Sequence, residues 1–339
     1  MKYTNRHGLS PEVVRAITKE RYIVEDEAPS DYSISDLVNP VQMTTIKKKY
    51  PEDLVVRDVV DLFYSFMGSV AHQVLEDSAH EDDQTTVEER LYMKIRDVTI
   101  SGKLDCYQHE ASVLEVDGEE IIVPYDPSII AKRRPPQIRD YKTTKVYNIQ
   151  KGDHKKWEEQ VNCYAVLLIE NNKPVEDLTI TCLIFDWKKN ETYKQNYPKT
   201  PIIDLKMPLW ALEDQLYYVH EKVKNLELAK QLDLQTLAKA YPCSKEDMWQ
   251  NHNGYSVIKK GSDRASRNFD THQEAVQYIE DSKSATHKTH QVVERLGIRR
   301  RCFEYCDAAK ICEQHKKLCK QEGVPHTYPN HDIDIEPLF

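Results

Sequence analysis

No run within the 339 residues is long and apolar enough to cross a bilayer, which excludes a membrane-spanning helix and leads us to expect a soluble protein with no membrane partner. The opening residues, Met1 to His7, lack the apolar stretch of a secretory signal, so a cytoplasmic location is expected. In a reducing compartment the eight cysteines are thiols or metal ligands rather than disulfides. Excess positive charge is also missing. A net charge of -9 and an isoelectric point near 5.8 argue against a protein that coats nucleic acid over its whole surface. Neither an internal repeat nor a low-complexity segment occurs, and the length suits one main domain with a smaller one attached.

What is present is charge with an uneven distribution. Residues 76–89 are acidic, whereas Lys132, Arg133, Arg134, Lys142, Lys145, Lys151, Lys155 and Lys156 follow close together, and a local basic channel is expected of them. Ser10 followed by Pro11 reads as a helix start, and 31–38 as a turn into a second helix. Leu62, Phe66, Val70 and Val74 recur every four residues, which predicts a helix over 55–77 with that face buried. Strands are predicted at 91–96 and 97–107, in a hairpin turning at Asp117-Gly118, at 137–143, at 178–187 and around 192–197. Helices are predicted over 155–169 and 209–232. A ββαβ pattern follows, with strands at 255–259, 265–269 and 291–296 and a helix begun by Asp270 or Thr271.

The chemistry concentrates between Gly102 and Tyr164. Gly102-x-Leu-Asp105, Asp140-Tyr-Lys142 and Gln160-x-x-x-Tyr164 follow in order. Residues two apart on a strand share a face, so Asp140 and Lys142 project together. Two carboxylates can hold a hard divalent cation that acidifies water, and a lysine beside them can orient that water or stabilise charge growing on a phosphate. Gln160 and Tyr164 lie one helical turn apart, where they can brace such a site or touch substrate.

With Gly68-x-x-x-His72 upstream, these four ordered motifs resemble the RecB-like branch of the PD-(D/E)xK nuclease superfamily, phage-encoded exonucleases and CRISPR-associated RecB-like nucleases in particular. The resemblance covers about the middle third of the chain. It implies an α/β (α+β) restriction-endonuclease-like core, a central mixed sheet flanked by helices. It also implies that His72, Asp105, Asp140 and the backbone carbonyl of Tyr141 bind Mg2+ or Mn2+, with Lys142 assisting the attack on DNA. The expected activity is a metal-dependent deoxyribonuclease, an exonuclease in recombination, replication or end processing of phage or bacterial DNA, placed in the host cytoplasm if phage-encoded. The Asp105-to-Asp140 gap is longer than usual, so Asp126 or Glu115 compete for a ligand role. The alternative is a non-catalytic nucleic-acid-binding or scaffold protein with a decayed nuclease fold.

Cys302, Cys306 and Cys312 form a dense trio, whereas Cys106, Cys163 and Cys182 lie in strand or helix patterns as buried hydrophobes. Cys243 is the expected fourth ligand, with Cys319 the alternative, for zinc or an iron-sulfur cluster. Some RecB-like nucleases carry a similar cluster, but their distant cysteine is near the N-terminus, and none precedes Cys106 here. The expected organisation is an N-terminal helical segment 1–54, a nuclease core 55–232, a small module 243–320 with the cysteine cluster, and a flexible tail 325–339. That tail, from His331 to Phe339, alternates acidic and apolar residues and resembles tails that recruit a recombination or replication protein.

Overall fold

The computed structural model describes residues 3–19, 29–79, 83–250, 254–262, 264–282, 284–295 and 297–326. The fold is α+β, and its largest sheet is mixed and flanked by helices. The chain divides into two compact units. One comprises the residues up to Thr44 with Arg57–Gln231, the other Thr45–Val56 with the described residues from Leu232 onward. No described helix is long and apolar enough to cross a membrane. Residues 327–339, which carry most of the expected tail, lie outside the described residues.

The first unit opens with β1 (Tyr3–Thr4), α1 (Pro11–Thr18), β2 (Tyr32–Ser33) and α2 (Ile34–Val38). Pro11 at the first turn of α1 and a Ser33–Asp36 capping box on α2 explain where both helices start. Next come α3 (Val41–Lys49) and β3 (Arg57–Asp58). Asp58 accepts from Thr4 Oγ1 and from the Arg6 amide, both at 2.8 Å, and so ties the paired β1 and β3 together. The boundary expected at residue 54 falls elsewhere. Residues up to Thr44 belong with the main unit, while Lys47 pairs with Asp307 at 3.2 Å and Val55 N–H donates to the Asp307 carbonyl, which binds 45–56 to the second unit.

The helix predicted at 55–77 is α4 (Phe63–Ala79), preceded by a 3-10 turn at Val59–Leu62 that Asp58 and Asp61 cap reciprocally. Its expected buried face is a correction, since none of its residues is fully buried and Val74 is 60% exposed. A Cβ at Gly68 would lie 3.2 Å from Thr143 Oγ1, so the helix meets the sheet through Gly68. The stripe that packs is therefore Gly68, His72, Leu75 and Ala79, roughly opposite the Leu62–Val74 row.

β4 (Thr85–Ile95) and β5 (Val98–Gln108) form the expected hairpin in longer form, turning through Arg96 at φ 55°. Then β6 (Ala111–Val116) and β7 (Glu119–Pro124) turn at Asp117-Gly118, both left-handed, and β8 (Lys132–Arg134) completes a separate sheet in the order β7-β6-β8. After β9 (Gln137–Thr144) come α5 (Val146–Lys151), α6 (Lys155–Glu170), β10 (Asp177–Ile184), β11 (Ile202–Met207) and α7 (Leu212–Lys230). The central sheet has the order β11-β10-β9-β5-β2, with β4 also on β5. The parallel β9–β10 pair frames α6, and β9–β5, β4–β5 and β10–β11 are antiparallel. The strand expected around 192–197 is a loop instead. There the Lys188 amide donates to Tyr197 Oη at 2.7 Å and Trp187 Nε1 to the Pro198 carbonyl at 2.9 Å, and the sheet resumes only at Ile202.

Beneath the sheet, Leu104, Ile138, Val161, Leu167, Ile180 and Val219 are buried together with Ile34 and Leu37. Gly102 permits that closeness. A Cβ there would fall 2.4 Å from Leu167 Cδ1, 2.8 Å from Ile34 Cγ1 and 2.9 Å from Tyr164 Cε1.

The second unit contains α8 (Leu234–Ala240), β12 (Gly254–Lys259), β13 (Ala265–Phe269), α9 (His272–Asp281), β14 (His290–Arg295) and α10 (Glu313–Glu322). A ββαβ module thus stands where the pattern predicted it, in sheet order β13-β12-β14 around Val257, Ala275 and Ile279. Thr271 and Glu274 start α9 with a capping box.

Replacing Gly102 with Ala overpacks three neighbours at once, which costs about 1–3 kcal/mol. We expect G102A to lower the melting midpoint by several degrees, with native circular dichroism at low temperature. An unchanged midpoint would show that α6 and α2 can recede from the strand.

Candidate functional site

The two motif aspartates meet where the central sheet comes apart. The β5–β9 register ends at Cys106 opposite Arg139, and the next step would set Asp105 opposite Asp140, but that pair is absent. On the other edge the β4–β5 register omits Glu88 opposite Asp105, and Glu88 has φ 51°. Like charges directly opposite on a sheet repel. Here the strands part, and Asp105 Oδ2 accepts from the Tyr141 amide at 2.8 Å.

Around that break stand the expected partners. His72 Nδ1 lies 3.4 Å from Asp105 Oδ1, and Lys142 Nζ 2.5 Å from Asp140 Oδ2. The Lys142 ammonium pairs with Asp140 Oδ2 and, by hydrogen bond and charge, opposes the effect of burial on that carboxyl. The ring of His72 meets that of Tyr141 edge-on at 6.1 Å. Burial pushes the Asp140 carboxyl up to about 6; Lys142 opposes that shift and Asp105 adds to it. For Asp105 burial also acts upward, but the His72 hydrogen bond and charge outweigh it and hold the carboxyl below its usual range. Burial presses His72 and Lys142 toward neutral, yet Asp105 raises the former and Asp140 the latter, so both end above their ordinary values.

Gln160 and Tyr164 sit further back. Gln160 Nε2 donates to Tyr164 Oη at 3.3 Å, and Tyr164 packs against Gly102 in the main core. Burial, followed by the Asp140 charge, raises the Tyr164 hydroxyl, so it remains a neutral brace behind the carboxylates. Asp126 and Glu115, the competing acids, belong to the β6–β7 excursion, where Asp126 accepts from Ser128 and Glu115 pairs with Glu120. That added sheet accounts for the long gap between the aspartates. Glu76, one helical turn after His72 on α4, also lies near this site although no motif singles it out. Burial raises its carboxyl, Lys103 opposes, and the charges of Asp105 and His72 reach it. Its spacing of four from His72 was the available signal.

Some members of the expected basic channel are paired with acids. Arg133 is held by Glu110 and Glu176, both at 2.6 Å, and Lys151 by Asp153 at 3.0 Å.

In the second unit, Cys243, Cys302, Cys306 and Cys312 share one neighbourhood. The Gln314 side chain clamps the Cys243 peptide, accepting from its N–H at 2.8 Å and donating to its carbonyl at 2.9 Å, and so brings it beside Cys312. Burial raises all four thiols. The charges of Cys302, Cys306 and Cys312 raise Cys243 further, while backbone amides aimed at Cys306 and Cys312 favour thiolate there. Cys319, the alternative ligand, is turned to Arg299 Nη2 at 3.7 Å and to His315. Cys106, Cys163 and Cys182 are buried, and all eight cysteines are free thiols.

Among the described residues no group of three or more His, Cys, Asp or Glu is already drawn into a metal-holding arrangement. The donor chemistry nevertheless fits at both places. At the sheet break, two carboxylates and an imidazole are donors of the kind a hard divalent ion takes, and four neighbouring thiols are of the kind that zinc or iron takes.

Because the Asp140 carboxyl is raised, it binds its proton more tightly folded than unfolded. The stabilisation is complete below the usual carboxyl range and is lost as pH rises through about 6. D140N imitates the protonated acid. In chelator, its stability relative to the native chain is expected to improve by on the order of 1–3 kcal/mol between pH 4 and pH 7.5, measured by denaturant titration. A difference independent of pH would refute the burial of this charge.

No family model matches the chain, and no curated protein matches it. Among solved structures, the crystal structure of SSO0001 is similar at a TM-score of 0.38 and 14% identity, over 64% of this chain and 84% of that one. A likeness at that level carries no argument about activity.

Proposed function

We propose that the first unit is a metal-dependent deoxyribonuclease of the RecB-like kind, acting from DNA ends. The observation that carries this reading is the convergence of Asp105, Asp140, Lys142 and His72 at the point where β5 and β9 part. A random surface Asp-x-Lys has no reason to coincide with a second buried acid and a histidine from a preceding helix.

His72, Asp105, Asp140 and the Tyr141 carbonyl would hold Mg2+ or Mn2+. When bound, that ion supplies Lewis acidity toward water and the phosphodiester. The chain's own residues do the remaining work. Lys142 carries a positive charge raised by two carboxylates, suited to orienting the attacking water and to meeting negative charge that builds on the phosphate. The Tyr141 amide and His72 fix Asp105 in one orientation, and Gln160 with Tyr164 supports the floor. Attack in line with a departing 3' oxygen, the leaving group that the family resemblance implies, would leave 5'-phosphate and 3'-hydroxyl ends. In the second unit, Cys243, Cys302, Cys306 and Cys312 would hold zinc or an iron-sulfur cluster as a structural clamp. The acidic C-terminal tail is proposed as a recruiting segment for a recombination or replication protein.

Two measurements test this. Linear and circular DNA incubated with protein and Mg2+, Mn2+ or chelator should show metal-dependent loss of linear DNA. D105A, D140A and K142A should each cut at least ~100-fold more slowly with an intact fold. Native-like cleavage by D140A would reject the site, and a native protein that binds DNA without cutting it would favour the scaffold alternative. For the cysteines, anaerobically purified protein should carry zinc or iron, and C306S should lose it and destabilise the second unit. Elemental analysis finding neither metal in folded protein would remove the clamp.

A further inference from the structure

Helix α4 does more than deliver His72. It meets β9 and the residue that follows in regular steps: His72 beside Tyr141, Gly68 against Thr143, and, beyond the packed stripe, Tyr64 beneath Lys145, whose Nζ lies 4.8 Å from the ring centroid. The three helix positions are four apart, Tyr141 and Thr143 lie two apart on β9 and Lys145 is the residue just past its end, so the helix runs along the strand away from the carboxylates. Tyr64 therefore stands about 12 Å from His72 along the helix axis.

At that outer end the chain exposes aromatic surface. Tyr64 is 63% exposed although Lys145 covers part of it, and Phe63, 49% exposed, meets it edge-on at 5.8 Å. Tyr147, 67% exposed, follows two residues after Lys145. Of the aromatics near the motifs, Tyr107 and Tyr141 are buried, and Trp157 packs against the core with His154 stacked on it. Folding thus spends the neighbouring rings on the core and leaves this pair outside, beside an exposed lysine.

We propose that Tyr64 and Lys145 form a platform for an unpaired DNA strand, Tyr64 stacking on a base and Lys145 meeting the adjoining phosphate. The inference rests on the nuclease reading and narrows its substrate to a strand that is single at the cut. Charge complementarity selects the occupant, since a ring with an ammonium against it offers the two contacts that unpaired nucleotides require: a flat apolar surface for the base and a cation for the phosphate. A protein partner of ordinary apolar character would leave Lys145 desolvated at the interface without a counter-charge. A paired duplex hides its base faces and could use only the lysine.

The test measures binding of a fluorescein-labelled oligothymidylate and of a blunt hairpin duplex to the full chain in chelator, by fluorescence anisotropy. Y64A should weaken oligothymidylate binding about tenfold or more, while Y64F retains it and duplex binding changes less than about twofold. K145Q should weaken binding and flatten its salt dependence. Y193A, which removes an exposed tyrosine elsewhere on the same unit, should change nothing. Native-like oligothymidylate affinity in Y64A, or a native preference for the duplex, would overturn the platform. The ratio of single-strand to duplex cleavage separates the two claims. If the native chain cuts DNA and Y64A leaves that ratio unchanged, the platform fails and the nuclease reading stands. If the native chain cuts nothing yet Y64A loses oligothymidylate binding, the nuclease reading fails and the platform stands.

Discussion

Two carboxylates at one rung of an antiparallel ladder repel each other, and much of the first unit can be read as an accommodation of that repulsion. At an effective dielectric near 20, unit charges about 4 Å apart cost about 4 kcal/mol. The β5–β9 ladder stops one step short of that rung, at Cys106 opposite Arg139. Asp105 takes the Tyr141 amide as a donor, and His72 and Lys142 supply compensating positive charge, Lys142 directly against Asp140 Oδ2. Such tension is expected where a sequence keeps groups for chemistry instead of for stability.

Two close approaches keep the break narrow. Gly102 lets α6 and α2 come against β5 three residues before Asp105, and Gly68 lets α4 rest on Thr143. A side chain at either position would separate helix from strand, so the acids and their basic partners would no longer share one space. Here the sequence was informative in one way and misleading in another. Motif order identified Gly68, His72, Asp105, Asp140 and Lys142 together, but the four-residue apolar row of Leu62, Phe66, Val70 and Val74 suggested the wrong buried face. Hydrophobic periodicity assumes that a helix turns its most apolar side inward. In α4 closeness decides, because the smallest residue permits the nearest contact, and the apolar row is left partly in solvent.

The same distinction separates what else could be read from what could not. Long elements with a clean period, such as β5, β9 and α6, or with explicit caps, such as α9, were legible because local physics suffices to form them. The two-residue strands β1, β2 and β3 have no period to detect. The loop at 192–197 has strand-like composition but is held by hydrogen bonds to Tyr197 and Trp187, which depend on where the chain returns. Likewise the spacing of Cys302, Cys306 and Cys312 marked a cluster, whereas the means of recruiting Cys243 lies in Gln314, a residue with no signature of its own.

Charge placement constrains how any polyanion is engaged. The chain is net negative, and part of its basic surface is committed internally, with Arg133 shared between Glu110 and Glu176 and Arg139 bound to Asp204 at 2.7 Å. A broad attractive field of the kind that draws a duplex from a distance is therefore weak, and at physiological salt it is screened beyond about 8 Å. Recognition then has to be short-ranged, built from contacts that act only once the strand has arrived. Stacking and a single adjacent ammonium satisfy that condition, because neither depends on net charge. Placed along the same helix that delivers His72, they would position a strand relative to the carboxylates through the rigidity of one element.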